Sequence, residues 1–251
     1  MKNKLENKLE NKIIIVTGGN GLLGKAIVNQ IKSAGAFCIN FEINHETTED
    51  LSNVYCDITN ESSIKAALKM VIERYKRIDG LVNNAYPRTK DWANKFEDIK
   101  LASWKQNVDW QLNSYFFISQ QVAIQMAKQQ KGSIVNMASI YGVVAPDFTV
   151  YNDTNMSMPG AYSAIKGGLI NLTRYMASYF GPKLIRVNAV SPGGIFDYQN
   201  QNFVNNYEKK VPMRRMGKPE DIAPSVVFLL SDDADYITGQ NIIIDGGWTA
   251  I

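Results

Sequence analysis

Ile13-Ile14-Ile15-Val16-Thr17-Gly18-Gly19-Asn20-Gly21-Leu22-Leu23-Gly24 is the stretch that decides the fold. Its first four residues form a continuous β-branched run, the pattern of a strand buried on both faces. A glycine-bearing turn follows, and Lys25–Ser33 then carries apolar residues at helical spacing. Strand, glycine turn and helix in that order make a candidate phosphate-binding unit. Glycines let a backbone approach a pyrophosphate, and the helix start offers free N–H groups and a favourable dipole.

Outward from that unit, strands and helices alternate. Ala36–Phe41 reads as the second strand and ends at Glu42, whose carboxylate can accept hydrogen bonds from both hydroxyls of an adenosine ribose and repels a 2′-phosphate. With no Lys or Arg in the glycine turn or just after Glu42, NAD is favoured over NADP. Asn53–Cys56 is a short third strand. Asp57 after it either contacts an adenine edge or caps the next helix, whose apolar spacing runs through Ser62–Arg74. Ile78–Val82 is the fourth strand and leads into Asn83-Asn84-Ala85. A long helical stretch is expected over Lys100–Gln129, a strand over Ser133–Met137, a helix over Tyr162–Tyr179, and strands over Leu184–Val190 and Asn241–Ile244. This alternation implies an α/β fold with a parallel sheet covered on both faces and a single domain over residues 13–251. The first twelve residues, with Asn-Lys-Leu-Glu twice, read as a flexible charged tail.

Composition narrows the function. The 251 residues are 45% hydrophobic and 20% charged, and 27 basic side chains are interspersed with 24 acidic ones, so neither nucleic acid nor a membrane surface is an expected partner. Cys38 and Cys56 give no disulfide framework, and His45, the only histidine, excludes His-based metal sites and a Ser-His-Asp triad. No metal site is expected. With no long apolar run and no leader pattern, a cytoplasmic enzyme is the expectation.

Tyr162 and Lys166 stand four residues apart, on one face of a helix. A free phenol has a pKa of about 10. A lysine cation alongside favours the phenolate and brings that value down, so the tyrosine can exchange a proton with a carbonyl or alcohol oxygen while a hydride moves.

Taken in order, Thr17–Gly24, Glu42, Asp57, Asn83-Asn84-Ala85, Ser139, Tyr162-x-x-x-Lys166, Asn188, Pro192-Gly193, the run from Gly217 to Ala223, Thr238-Gly239-Gln240 and Asp245-Gly246-Gly247 resemble the motifs of the short-chain dehydrogenase/reductase family, single-domain type. The resemblance implies a doubly wound Rossmann fold with seven strands in the order 3-2-1-4-5-6-7. It implies Tyr162 as general acid/base, Lys166 holding the nicotinamide ribose and tuning Tyr162, and Ser139 on the substrate oxygen. The implied cofactor site comprises Gly18, Asn20, Gly21, Leu22, Leu23, Gly24, Glu42, Asp57, Ile58, Asn84, Ala85, Tyr162, Lys166, Pro192, Gly193 and Ile195. It also implies a homo-oligomer, tetramer or dimer, built on the two long helices and the C-terminal region.

Three departures from the family pattern stand out. The glycines fall at 18, 21 and 24, with Leu22 where the short branch carries its middle glycine. Gln111 takes the position of the family's catalytic asparagine, whose role is to hold a water linking the lysine to solvent. The separation from Ser139 to Tyr162 is longer than usual, and the extra segment, roughly Val144 to Pro159, is rich in hydroxyl, amide and carboxylate groups. A mobile lid is expected between Gly194 and Val211. The polar insertion suggests a secondary alcohol or ketone on a sugar or other polyhydroxylated metabolite of carbohydrate metabolism. Two alternatives stand beside this reading. One is a 3-oxoacyl-carrier-protein reductase, which predicts NADPH and a basic patch for the carrier. The other is a dinucleotide-binding regulator whose catalysis has lapsed, with Gln111 as its support.

Overall fold

Seven short strands set the frame, and the computed structural model describes them within residues 7–251. They are β1 (Ile13–Thr17), β2 (Phe37–Glu42), β3 (Asn53–Tyr55), β4 (Gly80–Asn83), β5 (Gly132–Met137), β6 (Ile185–Pro192) and β7 (Asn241–Ile244). Every neighbouring pair is parallel, and the order is β3-β2-β1-β4-β5-β6-β7, as the family resemblance implies. The connecting helices are α1 (Leu22–Ser33), α2 (Glu61–Tyr75), α3 (Leu101–Val108), α4 (Ser114–Gln129), α5 (Gly160–Phe180), α6 (Gln201–Lys210) and α7 (Pro219–Leu230).

The period of two along β1 divides the core. Ile13 and Ile15 face α2, α4 and α5, where they join Leu68, Val122 and Leu169. Ile14 and Val16 face α1 and α7, where they join Ile27, Ile31 and Val226. Both faces of β1 are therefore apolar, which is why its sequence does not alternate.

The expected helix from Lys100 to Gln129 is broken in two. A single π turn over Asp109–Asn113 separates α3 from α4. Ser114 marks the change, its hydroxyl donating to the carbonyls of Trp110 (2.5 Å) and Gln111 (3.4 Å). Neither α6 nor α7 was expected from periodicity. The region expected to be a mobile lid holds α6 as a regular helix. A bidentate pair between Arg215 and Asp221 (2.6 and 2.9 Å) secures the start of α7.

Of the expected N-terminal tail, residues 1–6 lie outside the described residues. The remainder is docked, which corrects the expectation for residues 7–12. Leu9 is fully buried in the α1/α7 layer, and its N–H donates to the Ala34 carbonyl at 2.8 Å. Lys12 reaches Asp232 (2.7 Å) and the Leu230 carbonyl (3.2 Å). Two leucines in a charged repeat do not show which of them packs on a distant layer, so the burial of Leu9 was not legible in the sequence. Leu9→Ala should lower stability by about 2–4 kcal/mol, measured by urea denaturation; a change within the error of the extrapolation would show that the contact is dispensable.

Candidate active site

A cleft of about 1030 Å³ opens above the carboxyl ends of β1, β2, β4, β5 and β6. That is where an open parallel sheet places its ligands. The glycine turn forms one end of it. Gly18 has φ +66°, and a Cβ there would lie 2.7 Å from the Cα of Ala85. A Cβ on Gly24 would lie 2.2 Å from the Gly18 carbonyl oxygen, so this glycine lets α1 close against the turn. Gly21 is different: its Cβ position faces open space apart from one contact at 3.4 Å, and it precedes a helix start that no side chain caps. The amides of the first turn of α1 therefore remain available to an anion at the cleft, and a dinucleotide's paired phosphates suit them.

Gly18, Gly21, Leu22, Leu23, Glu42, Asp57, Ile58, Asn84, Ala85, Pro192, Gly193 and Ile195 all line the cleft. Glu42 is 9% exposed, at the end of β2. Asp57 accepts from the N–H and hydroxyl of Thr59 (2.9 and 2.7 Å), while Asn60 caps α2 by accepting from Ser63 N–H at 3.0 Å. The capping alternative for Asp57 is thereby removed. Two of the expected cofactor residues do not reach the cleft. Gly24 lies behind the turn, and Asn20 turns inward, its Oδ1 accepting from Asn40 at 3.2 Å. Asn40 also accepts from Gly19 N–H (2.8 Å), so β2 anchors the turn through an amide side chain. Asn84 donates to the carbonyls of Thr17 (3.2 Å) and Gly18 (2.9 Å). Thr17 was not singled out in the sequence, yet its hydroxyl accepts from both Asn84 and Ala85 N–H at 3.0 Å and ties the end of β1 to the loop after β4.

At the other end Ser139, Tyr162 and Lys166 meet on the cleft wall. The Lys166 ammonium donates to the Met137 carbonyl at 2.7 Å and lies 5.4 to 5.8 Å from the ring centroids of Tyr162, Tyr86 and Tyr115. Burial pushes its pKa down from 10.5 to about 7. Burial also raises the Tyr162 phenol, opposed by a hydrogen bond with Ser139. The expected lowering of Tyr162 by a lysine cation does not appear: desolvation dominates, Ser139 alone opposes it, and both groups are driven towards their neutral forms. Tyr86 and Trp92 stand edge-on to Tyr162 at 5.7 and 6.2 Å, and Tyr86 packs edge-on to Trp92 as well. Neither aromatic was picked out from the sequence, although Tyr86 directly follows Asn83-Asn84-Ala85 at a strand's carboxyl end.

Gln111 does not line the cleft. It is 2% exposed in the π turn, its Nε2 donates to the Pro87 carbonyl at 2.9 Å, and its Oε1 has no hydrogen-bond partner. Through its Nε2 this residue grips the loop after β4. The same turn brings the neighbouring Trp110 to the cleft. The insertion also differs from expectation. Its polar residues face outward or pair with α6: Asp147 bridges to Lys210, and the Asn152 and Asp153 carbonyls accept from Asn206 (3.3 Å) and Asn202 (3.2 Å). What it presents to the cleft is Tyr151, Met158 and Pro159. Apolar burial against Phe203 and Tyr207 on α6 turned that side inward.

A family model described as Enoyl-(Acyl carrier protein) reductase matches residues 21–249. The chain is 35% identical to post-translational flagellin modification protein A of Campylobacter coli, covering 96% of this chain and 99% of that one. It is also 35% identical to a 7alpha-hydroxysteroid dehydrogenase of Bacteroides fragilis (97% and 96% covered) and 32% identical to a 3-oxoacyl-(acyl-carrier-protein) reductase of Thermotoga maritima (96% and 98%). Among solved structures, a short-chain dehydrogenase from Leptospira borgpetersenii with bound NAD+ superposes with a TM-score of 0.88 at 35% identity, covering 99% and 96% of the two chains.

Lys166 carries a pH signature. The unfolded chain holds this proton up to its ordinary 10.5, whereas the folded chain releases it near 7. Between those values the unfolded state binds more protons, so stability rises with pH. Lys166→Met should remove that rise. On going from pH 7 towards pH 10 the wild type should gain on the order of 2 kcal/mol over the variant, read from melting curves. Parallel curves would contradict the assignment.

Proposed function

Because the chain belongs to the short-chain dehydrogenase/reductase family, NAD(P)-dependent enzymes acting on CH–OH groups, we propose that it interconverts a secondary alcohol and a ketone with NAD as the favoured cofactor. The observation that carries the reading is the meeting of Ser139, Tyr162 and Lys166 at one end of a cleft whose other end is an uncapped helix start. When bound, the nicotinamide supplies or accepts the hydride. The chain's own residues handle the proton and the geometry. Tyr162 gives its phenolic proton to the carbonyl oxygen as it becomes an alkoxide, or removes it from the alcohol in the reverse direction. Ser139 donates to the same oxygen and stabilises the charge building there. Lys166, held by the Met137 carbonyl, keeps a proton-bearing group beside the phenol and would hold the ribose of a bound nicotinamide cofactor. Asn84 and Thr17 fix the glycine turn and so the height of the cofactor channel. Gln111 works at one remove, as a positioning residue for the loop after β4.

Glu42 favours NAD by accepting from the adenosine ribose hydroxyls and repelling a 2′-phosphate. The substrate is a small hydroxy or keto metabolite with one flat or apolar face against Tyr86, Trp110, Tyr151 and Met158. A sugar derivative laid on aromatic rings satisfies this wall. A second reading, reduction of 3-oxoacyl groups on a carrier, draws on the kinship with the Thermotoga enzyme. Glu42 weighs against the NADPH which that reading expects. Among the described residues no helix is long and apolar enough to cross a membrane, and a cytoplasmic setting goes with this reading. So does an oligomer through α4 and α5, which leave Phe116, Ile124, Tyr175 and Tyr179 exposed.

Tyr162→Phe should lower kcat by about 10²–10⁴ while NAD affinity, followed by fluorescence quenching, stays close to wild type; retained turnover would sink the acid/base assignment. Glu42→Ala should narrow the ratio of kcat/KM between NAD and NADP by about tenfold or more. An unchanged ratio would refute the ribose role.

A further inference from the structure

The loop after β4 is laced to the helix that faces it. Gln111 Nε2 donates to the Pro87 carbonyl (2.9 Å). Asn107 accepts from Thr89 N–H (3.0 Å) and donates to its hydroxyl (2.9 Å), and Ser103 donates to the Asp91 carboxylate (2.6 Å). Helix residues 103, 107 and 111 thus meet loop residues 91, 89 and 87. The contact at Asp91 is made from a turn, in which Trp92 N–H donates to the Thr89 carbonyl at 3.2 Å. The lacing takes up every second residue of the loop. Tyr86 and Arg88, in the alternate positions, line the cleft together with Pro87.

Arg88 is the unusual member of that wall. Its guanidinium carbon lies 5.3 Å from the Tyr86 ring centroid, and that ring is 5.7 Å from Tyr162. The cation therefore stands no farther from the reacting tyrosine than these two spans laid end to end, a reach that a small molecule bridges. None of the ion pairs among the described residues involves Arg88. One N–H engages the Tyr86 hydroxyl, and the remaining donors of the guanidinium fork are left for a planar or tetrahedral anion. Asp197 lines the lid side of the same cleft and would repel an anion there, which leaves the Arg88 side for it.

Resting on the reading of this cleft as a hydride-transfer site, we infer that the substrate carries an anionic group, a carboxylate, phosphate or sulfonate, and that Arg88 is the residue that selects for it. The aromatic wall takes the flat or apolar middle of the molecule, Ser139 and Tyr162 take the oxygen at the reacting carbon, and Arg88 takes the charged end. Ser103, Asn107 and Gln111 act through the loop and fix where that charge sits.

The test uses the full chain saturated with NAD and needs no turnover. Acetate, phosphate and methanesulfonate are titrated at constant ionic strength against chloride, and the melting temperature is followed for wild type, Arg88→Gln and Arg88→Lys. At least one anion should stabilise the wild type. That response should fall about tenfold or more in apparent affinity in Arg88→Gln and return in part in Arg88→Lys, and the anion giving it identifies the group. A wild type that answers none of the three, or an Arg88→Gln variant that answers as the wild type does, overturns the inference. Failure of the hydride-transfer reading shows separately, as absence of NAD-dependent stabilisation or of turnover with any hydroxy or keto compound.

Discussion

An amine enclosed by three tyrosine rings is the constraint on which the site depends. Lys166 is 5% exposed and has one carbonyl, that of Met137, to hold it. Charge in such surroundings is costly unless something compensates. The rings offer their faces, and the backbone offers one oxygen, but no carboxylate is among the causes that set its pKa. The result is a lysine poised near neutrality. Tyr162, four residues earlier on α5, is raised by the same desolvation, so burial moves both groups towards their neutral forms.

The pair sits on a rigid floor. Asn83 at the end of β4 donates to Ser119 on α4 (2.7 Å) and to Asn136 on β5 (2.8 Å), and Asn136 donates to Thr173 on α5 (2.9 Å). All four residues are buried. A polar chain of this kind in a dry core fixes the register of the elements it joins, because any shift would strand a donor. It locks the start of the loop carrying Tyr86 to the helix carrying Tyr162. Farther along that loop, the lacing from Ser103, Asn107 and Gln111 continues the same restraint.

The sheet was legible because parallel strands buried on both faces leave uninterrupted apolar runs, and Ile13–Val16 is the clearest of them. The glycine turn, Glu42 and the Tyr162/Lys166 pair were legible because their chemistry depends on local spacing. Other features depend on partners distant in sequence. Leu9 meets Ala34, Gln111 meets Pro87, and the insertion turns its polar side outward because Phe203 and Tyr207 cover the other. The π turn at Asp109–Asn113 also left no periodic trace, since one extra residue in a helix looks like ordinary drift in the apolar spacing. Tyr162's raised pKa could not be read from the motif either, because desolvation belongs to the fold and not to the i, i+4 pair.

The insertion and α6 share more than a contact. Val150, Phe203, Val204, Tyr207, Val211 and Met216 form a separate apolar cluster, joined by Tyr151, Met156 and Trp248, with the Asp147–Lys210 bridge and two asparagine amides along its edge. Residues close to Tyr162 and residues after β6 are thereby fused into one roof. Because one apolar cluster serves both segments, a loss of volume at Val150 or Phe203 is felt on both sides of the cleft mouth at once, far from Ser139 and Tyr162.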